Sequence, residues 1–362
     1  MSQIDRRRFL KLFSAALAVG STKLSVAATM SQRKVGVALL GLGNYSTHLL
    51  APALQATRFC ELRGIVTGSP EKIPKWQRRY GIPDANVYSY DTMHRLADNP
   101  DIDVVYVVTP TSLHLKYAER AASAGKHVWC EKPMAMTEAE CQRMIDVCNK
   151  NHVQLAIGYR MQHEPNTRAM ANYAQTSPFG TITSVSSFAG YPGNGLPADN
   201  WRMQKDMGGG ALYDMGVYPI NGARFLTGMN SVAVTGRFEK SHPEIFTQVD
   251  ETTYFTLEFA NGLIADCGTS VVRGFNHLQV DCESGWYRLA PMQSYSGVTA
   301  TTSSGKRLAP IKGMQQTLQM DNDAQAILGQ GPILVPGEEG LADIRLVQAI
   351  FKAAESGRRV AL

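Results

Sequence analysis

The chain has 362 residues, more than one ordinary domain needs, and its 44% hydrophobic and 19% charged residues are typical of a globular protein. The net charge of +5 is concentrated in residues 1–28, which hold five basic side chains and one acidic side chain, so the remainder is nearly neutral. This balance gives no indication of nucleic acid or an anionic surface as a partner, and we predict neither. The six cysteines show no C-x-x-C pair and no zinc spacing, so we predict free thiols and no metal site.

Residues 1–28 have the three parts of a secretory signal, namely a basic head, an apolar middle over residues 12–20 and small residues at 26–28. Residues 6–11 read Arg-Arg-Arg-Phe-Leu-Lys, which resembles the twin-arginine export signal; a frayed basic helix is the alternative. We therefore predict a signal peptide over 1–28 that the twin-arginine export machinery recognises, and a mature protein in the periplasm. No other apolar run approaches the ~20 residues of a membrane span, so the mature protein is not expected to be membrane-bound.

The apolar residues 34–40 predict a buried strand that runs into a glycine-rich turn and then into a helix ending near Ala56. The turn has the pattern G-x-G-x-x, with Ser46 in place of the third glycine. In dinucleotide-binding proteins the first glycine permits a tight turn, the second lets the pyrophosphate approach the backbone, and the helix N-terminus supplies free N–H groups. We predict a dinucleotide site whose contacts include Gly41, Leu42, Gly43, Asn44 and Tyr45.

The second predicted strand, residues 61–67, ends in a turn that favours a phosphate group. An acidic residue at this place would bind the ribose 2′-hydroxyl of NAD, but none is present. Thr67 and Ser69 offer hydroxyl groups and Lys72 offers a cation, which suits the 2′-phosphate of NADP. We predict NADP rather than NAD; a plain turn with a solvated lysine is the alternative.

Further apolar strands are predicted at residues 101–108, 126–131 and 153–158, and a capping box at Thr137 and Glu140 predicts that a helix begins there. This alternation predicts a doubly wound parallel sheet, which binds ligands at the carboxyl ends of its strands. The residues expected to contact the cofactor at those ends are Thr109, Pro110, His114, Glu131, Lys132 and Arg160. A solvated strand end with a chance Glu–Lys pair is the alternative.

The rest of the chain is rich in short strand patterns, at residues 181–188, 231–237, 252–259, 263–270, 278–284 and 286–289. Such dense strands predict a large, mostly antiparallel open sheet with one exposed face. Inserted among them, residues 208–210 are three glycines that lead into a helix, where Asp214 and Tyr218 share a face. We predict an α/β protein with a Rossmann NADP-binding domain over 29–158 and a substrate and oligomerisation domain over 159–362.

Five motifs give the chain a resemblance to the Gfo/Idh/MocA family of NAD(P)-dependent sugar oxidoreductases over residues 34–362. The motifs are Gly41-Leu42-Gly43, Thr109-Pro110 with His114, Glu131-Lys132-Pro133, Asp214-x-Gly216-x-Tyr218, and Pro-Gly-Glu-Glu-Gly-Leu at 336–341. Most members have histidine at position 218; Tyr218, Gly158-Tyr159-Arg160 and the export signal are similar to the glucose–fructose and aldose–aldose oxidoreductase branch. The long proline-rich arm of glucose–fructose oxidoreductase has no counterpart before residue 35, which favours the aldose–aldose type and a homodimer.

The resemblance implies a catalytic group of Lys132, Asp214 and Tyr218. A tyrosine hydroxyl is too weak an acid to act as a base at neutral pH unless a cation lies nearby, and Lys132 is expected to be that cation and a substrate anchor. Asp214 is expected to orient the pair, while Trp201 and Arg202 are expected to contact the cofactor or the substrate. The competing interpretations are a packed core tyrosine, a plain salt bridge and a stacked surface pair.

Export and a dinucleotide site together imply an unusual reaction cycle. Free nicotinamide dinucleotides are not expected outside the inner membrane, so we expect tightly bound NADP that is regenerated in place. One aldose would be oxidised at C1 to the lactone and a second sugar reduced to the alditol in a ping-pong cycle. The competing functions are an NAD(P)-dependent glycosidase of the same family, an ordinary sugar dehydrogenase with a dissociable cofactor, and a non-catalytic sensor.

Overall fold

The computed structural model describes residues 33–193, 196–197 and 199–362, so the predicted signal peptide lies outside the described residues. The first sheet has six parallel strands in the order β3-β2-β1-β4-β5-β6. The strands are β1 (Val35–Leu40), β2 (Cys60–Val66), β3 (Val87–Tyr88), β4 (Val104–Val107), β5 (His127–Cys130) and β6 (Leu155–Ile157). All residues of β1 and β4 are buried, because helices cover both faces of a parallel sheet. The predicted doubly wound sheet is confirmed.

Four helices accompany this sheet. They are α1 (Ala51–Leu54), α2 (Ile73–Tyr80), α3 (His114–Ser123) and α4 (Glu138–Lys150). The predicted capping box begins α4, since the Thr137 hydroxyl accepts the N–H of Glu140 at 3.2 Å and the Glu140 carboxylate accepts the N–H of Thr137 at 3.1 Å. The helix after the glycine turn ends at Leu54, two residues before the predicted end, and begins with a wider π-helical turn at Ser46–Leu50.

The second sheet has nine strands in the order β14-β13-β12-β11-β7-β10-β9-β8-β15. Only the β7–β10 pair is parallel, so the predicted, mostly antiparallel sheet is confirmed. The strands are β7 (Ile182–Gly190), β8 (Ser231–Glu239), β9 (Thr252–Phe259), β10 (Ile264–Ser270), β11 (Asn276–Cys282), β12 (Gly285–Leu289), β13 (Ala300–Thr302), β14 (Arg307–Leu308) and β15 (Val360–Ala361).

Helices cover one face of the second sheet. The α-helices among the described residues of this part are α5 (Pro165–Thr176), α6 (Val217–Thr227), α7 (Gln315–Ile327) and α8 (Gly337–Ser356). A Cβ atom at Gly236 in β8 would lie 2.9 Å from the Ile350 carbonyl oxygen of α8, so this glycine permits close packing of helix and sheet. In the described part of the chain, no helix combines the length and the hydropathy of a membrane span.

Helix α7 packs on the first sheet although it follows the strands of the second. Met320 and Ala324 belong to the same buried cluster as Val37 and Leu39 of β1. The Asp321 carboxylate accepts the backbone N–H groups of residues 58 and 59 at 2.8 and 2.9 Å. A helix from the last part of the chain is therefore part of the core of the first sheet.

Candidate active site

The carboxyl ends of four neighbouring strands meet at one edge of the first sheet. Leu40, Val107, Cys130 and Ile157 are partners from strand to strand, so the residues that follow them lie side by side. This is the edge where open α/β sheets bind ligands. The predicted site residues that follow these strand ends are Gly41, Leu42, Gly43, Thr109, Pro110, Glu131, Lys132 and Arg160.

The glycine turn has the geometry that a dinucleotide requires. Gly41 has a φ of +93°, and a Cβ atom there would lie 2.4 Å from the Val108 carbonyl oxygen, so only glycine fits. A Cβ atom at Gly43 would meet nothing within 4 Å, which leaves the backbone open to a ligand. Ser46 donates its hydroxyl to the Gly41 carbonyl at 2.5 Å, so the residue in the third glycine position ties the helix to the turn. Asn44 is exposed beside it.

The turn after β2 brings a cation to the glycine turn. The Lys72 ammonium group donates to the Leu42 carbonyl at 3.2 Å, and Ser69 is half-buried nearby in the chain. Thr67 is buried, and its hydroxyl accepts the N–H of Ser69 at 3.0 Å, so this hydroxyl is used within the turn. The cation predicted for the 2′-phosphate therefore lies beside the predicted pyrophosphate turn, whereas the Thr67 hydroxyl serves the turn itself.

His114 is buried and joins two loops of the edge. Its Nδ1 lies 2.9 Å from the Pro133 carbonyl oxygen and its Nε2 lies 2.9 Å from the Thr109 carbonyl oxygen. Burial lowers the pKa of His114, although these carbonyl groups oppose the shift. Both ring nitrogens are occupied by protein atoms, so His114 positions the loops that were predicted to contact the cofactor. The Thr109 hydroxyl is buried and has no partner within the described chain, and Pro110 is half-buried beside it.

Glu131 turns its carboxylate into the protein. Its Oε1 accepts the Tyr106 hydroxyl at 2.7 Å, and that hydroxyl in turn accepts the Gln319 amide of α7 at 2.8 Å. Burial raises the pKa of Glu131, and the Tyr106 hydroxyl and Lys132 oppose this shift. A Cβ atom at Gly158 would lie 2.8 Å from Oε1, so the glycine makes room for the carboxylate. Glu131 therefore fixes the strand end from which Lys132 projects.

The structure brings Lys132, Asp214 and Tyr218 together. The Lys132 ammonium group donates to the Asp214 carbonyl oxygen at 2.7 Å, lies 3.9 Å from the carboxylate Oδ1, and lies 4.6 Å from the centroid of the Tyr218 ring. The ammonium thus contacts the face of the ring. A wider π-helical turn at Leu212–Gly216 precedes α6 and carries Asp214. Tyr218 is buried on the first turn of α6.

Asp214 is the junction of a second set of contacts. Its Oδ2 accepts the Arg202 Nε–H at 3.0 Å and the Tyr191 hydroxyl at 3.2 Å. Burial alone would raise the pKa of Asp214, but Lys132 and then Arg202 lower it below its ordinary value, so the carboxylate stays ionised. The Arg202 guanidinium stacks on the Trp201 ring at 4.4 Å. The predicted Trp201–Arg202 pair therefore reaches the site through Asp214.

Arg160 is a cation within hydrogen-bonding distance of the Tyr218 hydroxyl. It is 1% exposed, its Nη2 lies 3.5 Å from that hydroxyl, and its guanidinium lies 4.7 Å from the Tyr295 ring centroid. Its Nη1 also donates to the carbonyl oxygen of residue 294 and the amide oxygen of Gln315 in α7, and its Nη2 to the carbonyl oxygen of residue 293. Tyr45 reaches the same group, with its ring 5.9 Å from that of Tyr295.

Several residues of the site were not predicted, among them Tyr106, Tyr191, Tyr295 and Gln315. Tyr106 lies in an apolar strand, where a lone tyrosine must find a partner for its hydroxyl, and this signal could have identified it. Tyr191 follows the end of β7, but nothing in the sequence links it to Asp214. Tyr295 and Gln315 lie in a loop and at the start of a helix without a recognisable pattern.

Comparisons with known proteins match both parts of the chain. A family model described as an oxidoreductase family with an NAD-binding Rossmann fold matches residues 35–159, and a GFO/IDH/MocA C-terminal domain model matches residues 167–288. A D-xylose 1-dehydrogenase (NADP(+)) of Haloarcula marismortui is 30% identical over 342 residues, 92% of this chain and 95% of the relative. A D-glucoside 3-dehydrogenase of Escherichia coli is 25% identical, over 92% of this chain and 99% of the relative.

The chain is also similar to a solved structure over the whole length of that structure's own chain. It is the crystal structure of aldose–aldose oxidoreductase from Caulobacter crescentus complexed with glycerol. It has a TM-score of 0.87 and 36% sequence identity, and the match covers 91% of this chain and 100% of that chain.

Proposed function

Because the chain belongs to the Gfo/Idh/MocA oxidoreductase family, as its motifs predicted, we propose that it oxidises one aldose at C1 to the lactone and reduces a second sugar to the alditol. The observation that carries this proposal is the cluster of Lys132, Asp214 and Tyr218 at the ligand-binding edge, beside the glycine turn. The names of two relatives, D-xylose 1-dehydrogenase (NADP(+)) and aldose–aldose oxidoreductase, support sugars as substrates and NADP as cofactor.

The residues of the glycine turn fit a dinucleotide. Gly41 and Gly43 would hold the pyrophosphate, and Lys72 would contact the 2′-phosphate, because its ammonium group lies at the same turn. The partnerless Thr109 hydroxyl is a further group that a bound cofactor would satisfy. When bound, NADP supplies the acceptor and the donor of hydride for the two half-reactions.

Tyr218 is the proposed acid and base. In the oxidation, the C1 hydrogen leaves as hydride, the anomeric hydroxyl gives its proton to the Tyr218 phenolate, and the C1 carbonyl of the lactone forms. In the reduction, the Tyr218 hydroxyl returns a proton to the aldehyde oxygen of the second sugar. Arg160, 3.5 Å from the hydroxyl, and Lys132, over the ring, would stabilise the negative charge that Tyr218 carries before the oxidation and again after the reduction.

The proposal includes a cofactor that does not dissociate and a periplasmic location. Both rest on the predicted export signal in residues 1–28, since an exported enzyme that released NADP would stop after one turnover. The cofactor would enter in the cytoplasm, travel with the folded protein and be regenerated by the second sugar.

The test is to give dialysed protein an aldose without added NADP and to measure the products. Equal amounts of lactone and alditol over many turnovers are expected. A requirement for added NADP would contradict the closed cycle. The second candidate, an ordinary dehydrogenase with a dissociable cofactor, would then remain, and the 30% identity to D-xylose 1-dehydrogenase (NADP(+)) favours it over a glycosidase or a non-catalytic sensor.

A further inference from the structure

We propose that a cavity lined by Tyr213, the residue that precedes Asp214, binds an organic anion with an apolar ring. We call it the lysine–aromatic cavity; its defining residues are Lys205, Tyr213, Phe238, Lys240, Phe351 and Lys352. Its volume of about 410 Å³ lies within the ~300–1,000 Å³ that is usual for small-molecule sites. It is lined by the segment that leads into the π-helical turn at Leu212–Gly216, by the end of β8 and by the last turns of α8.

Three aromatic rings form the apolar part of the cavity. The Phe351 ring lies between the other two, 5.6 Å from the centroid of Tyr213 and 6.0 Å from that of Phe238. All three side chains are half-buried, so each keeps a face that a ligand can cover. Aromatic surfaces of this kind bind planar or apolar ring systems through area burial and stacking.

The rim of the cavity is positively charged. Lys205, Lys240 and Lys352 are exposed, and within the described part of the chain none of their ammonium groups has a hydrogen-bond or ion-pair partner. The exposed acid at this rim is Glu355. Asp250 also lines the cavity but is buried; its Oδ2 accepts the Leu212 N–H at 2.9 Å and the Thr253 hydroxyl at 2.6 Å, and its Oδ1 has no partner within the described chain. Three unpaired cations over an apolar floor select an anion that carries a ring.

The wall of the cavity connects it to the proposed catalytic residues. Tyr213 precedes Asp214 in the π-helical turn, and its hydroxyl donates to the Met136 carbonyl at 2.6 Å. Met136 lies four residues after Lys132 and also lines the cavity. A ligand in the cavity would therefore contact both segments that position the Lys132–Asp214 contact. The binding proposal itself does not depend on the proposed sugar chemistry.

The experiment compares a charged and an uncharged probe of the same ring, 2-naphthoate and 2-naphthalenemethanol, by calorimetric titration of the full protein with NADP present in excess. Naphthoate is expected to bind with a Kd below about 1 mM. The double variant Lys240→Gln/Lys352→Gln is expected to bind naphthoate roughly fivefold more weakly, as for the loss of two exposed ion pairs, and to bind the alcohol unchanged.

The matched control is Lys75→Gln/Lys150→Gln, which removes two exposed lysines on α2 and α4 and should leave the affinity for naphthoate unchanged. All four lysines are exposed, so the variants are expected to fold. Absence of naphthoate binding below about 1 mM would overturn the proposal. Equal binding by the wild-type protein and the Lys240→Gln/Lys352→Gln variant would overturn it as well.

Discussion

Two cations contact Tyr218 in different ways. The Lys132 ammonium lies 4.6 Å from the ring centroid, whereas Nη2 of Arg160 lies 3.5 Å from the hydroxyl. The sequence led us to expect Lys132 as the cation that makes the hydroxyl acidic enough for base chemistry. Arg160 lies beside the oxygen that would carry the charge in the proposed reaction, whereas Lys132 donates to the Asp214 carbonyl oxygen, so we propose a role for both cations.

The change Tyr218→Phe tests the acid and base role. It keeps the ring between the two cations but removes the oxygen, so the proton has no acceptor while the cofactor should stay bound. Reduction of bound NADP by glucose in a single turnover is expected to slow by ~10²–10⁴-fold. Tyr295→Phe is the control, because its ring also contacts Arg160 while its hydroxyl has no proposed role. A Tyr218→Phe rate within about threefold of the wild-type rate would refute the assignment.

The turn after β2 is expected to determine whether the protein prefers NADP or NAD. Lys72→Ala removes the ammonium group beside the glycine turn, and Ser69→Asp adds a carboxylate that repels a 2′-phosphate and can bind a ribose hydroxyl. The ratio of NADP to NAD affinity, measured by fluorescence titration of cofactor-free protein, is expected to fall by at least about tenfold. Wild-type protein that contains NAD and no NADP would show that this interpretation of the turn is wrong.

Site residues were predicted where local patterns carried them. Gly41 was predicted because the tight turn requires a glycine, and Lys132 because it follows an apolar strand. Both signals are visible in short stretches of sequence. Tyr191 and Gln315 were missed because their contacts join segments that are far apart in the chain, and polar residues at such positions look like ordinary surface residues. The catalytic roles stay predictions.

Helix α7 shows why one element escaped prediction. Gln315, Gln316, Gln319 and Asp323 form a polar stripe that sequence reasoning assigns to solvent, yet all four are buried. The three glutamines make buried hydrogen bonds, such as that from Gln316 to the Tyr45 hydroxyl at 3.3 Å, whereas the Asp323 carboxylate has no partner within the described chain. In contrast, α4 was predicted because its capping box is a local signal. The wider π-helical turns before α1 and α6 were not predicted, since tertiary packing produces them.

The packing of α7 makes one histidine a determinant of stability at low pH. His163 is buried against α7, with Nδ1 3.1 Å from the Asn322 amide oxygen, and burial lowers the pKa of His163 to about 4. Because this value lies below the unfolded value of about 6.5, the unfolded state binds the proton first as the pH falls. The free energy of unfolding should therefore fall by about 2–3 kcal/mol through this group as the pH falls from 7.5 to 4.5.

The change His163→Gln removes that titration and keeps an amide that can donate to Asn322. The free energy of unfolding in urea is expected to fall less between pH 7.5 and 4.5 in this variant than in the wild-type protein, by about 2–3 kcal/mol. His94→Gln is the control, because His94 is exposed on the surface beside the first sheet. Identical pH dependence in the wild-type protein and His163→Gln would contradict the prediction.

At the scale of the whole molecule, the site exists only where the two sheets meet. Lys132 comes from the edge of the first sheet, whereas Asp214 and Tyr218 come from the turn and helix that cover the second. Hydrophobic periodicity predicted both sheets, and the Gfo/Idh/MocA resemblance is confirmed. Periodicity could not predict how the two sheets are placed relative to each other. That placement depends on α7 and on contacts such as the one between Arg160 and Gln315. The domain limits at residue 158 stay a prediction.

If residues 1–28 are the export signal that we predict, the order of cofactor binding and export in the cell follows from it. The twin-arginine route carries folded proteins, so NADP has to bind before export if the enzyme is to work outside the cytoplasm. In a bacterium with this machinery, changing Arg6→Lys and Arg7→Lys together is expected to leave the protein in the cytoplasm. Arg8→Lys changes the variable position of the pattern, keeps the charge and should be exported like the wild-type protein.

The measurement is the distribution of the protein between periplasmic and cytoplasmic fractions, followed by mass spectrometry of the denatured protein from each. NADP is expected with the exported wild-type protein in about the same ratio as with the retained variant, because binding precedes transport. An exported protein without NADP would mean that the cofactor is not carried, and the closed cycle would then lack its supply. A double variant that still reaches the periplasm would instead show that residues 6 and 7 do not direct a twin-arginine route.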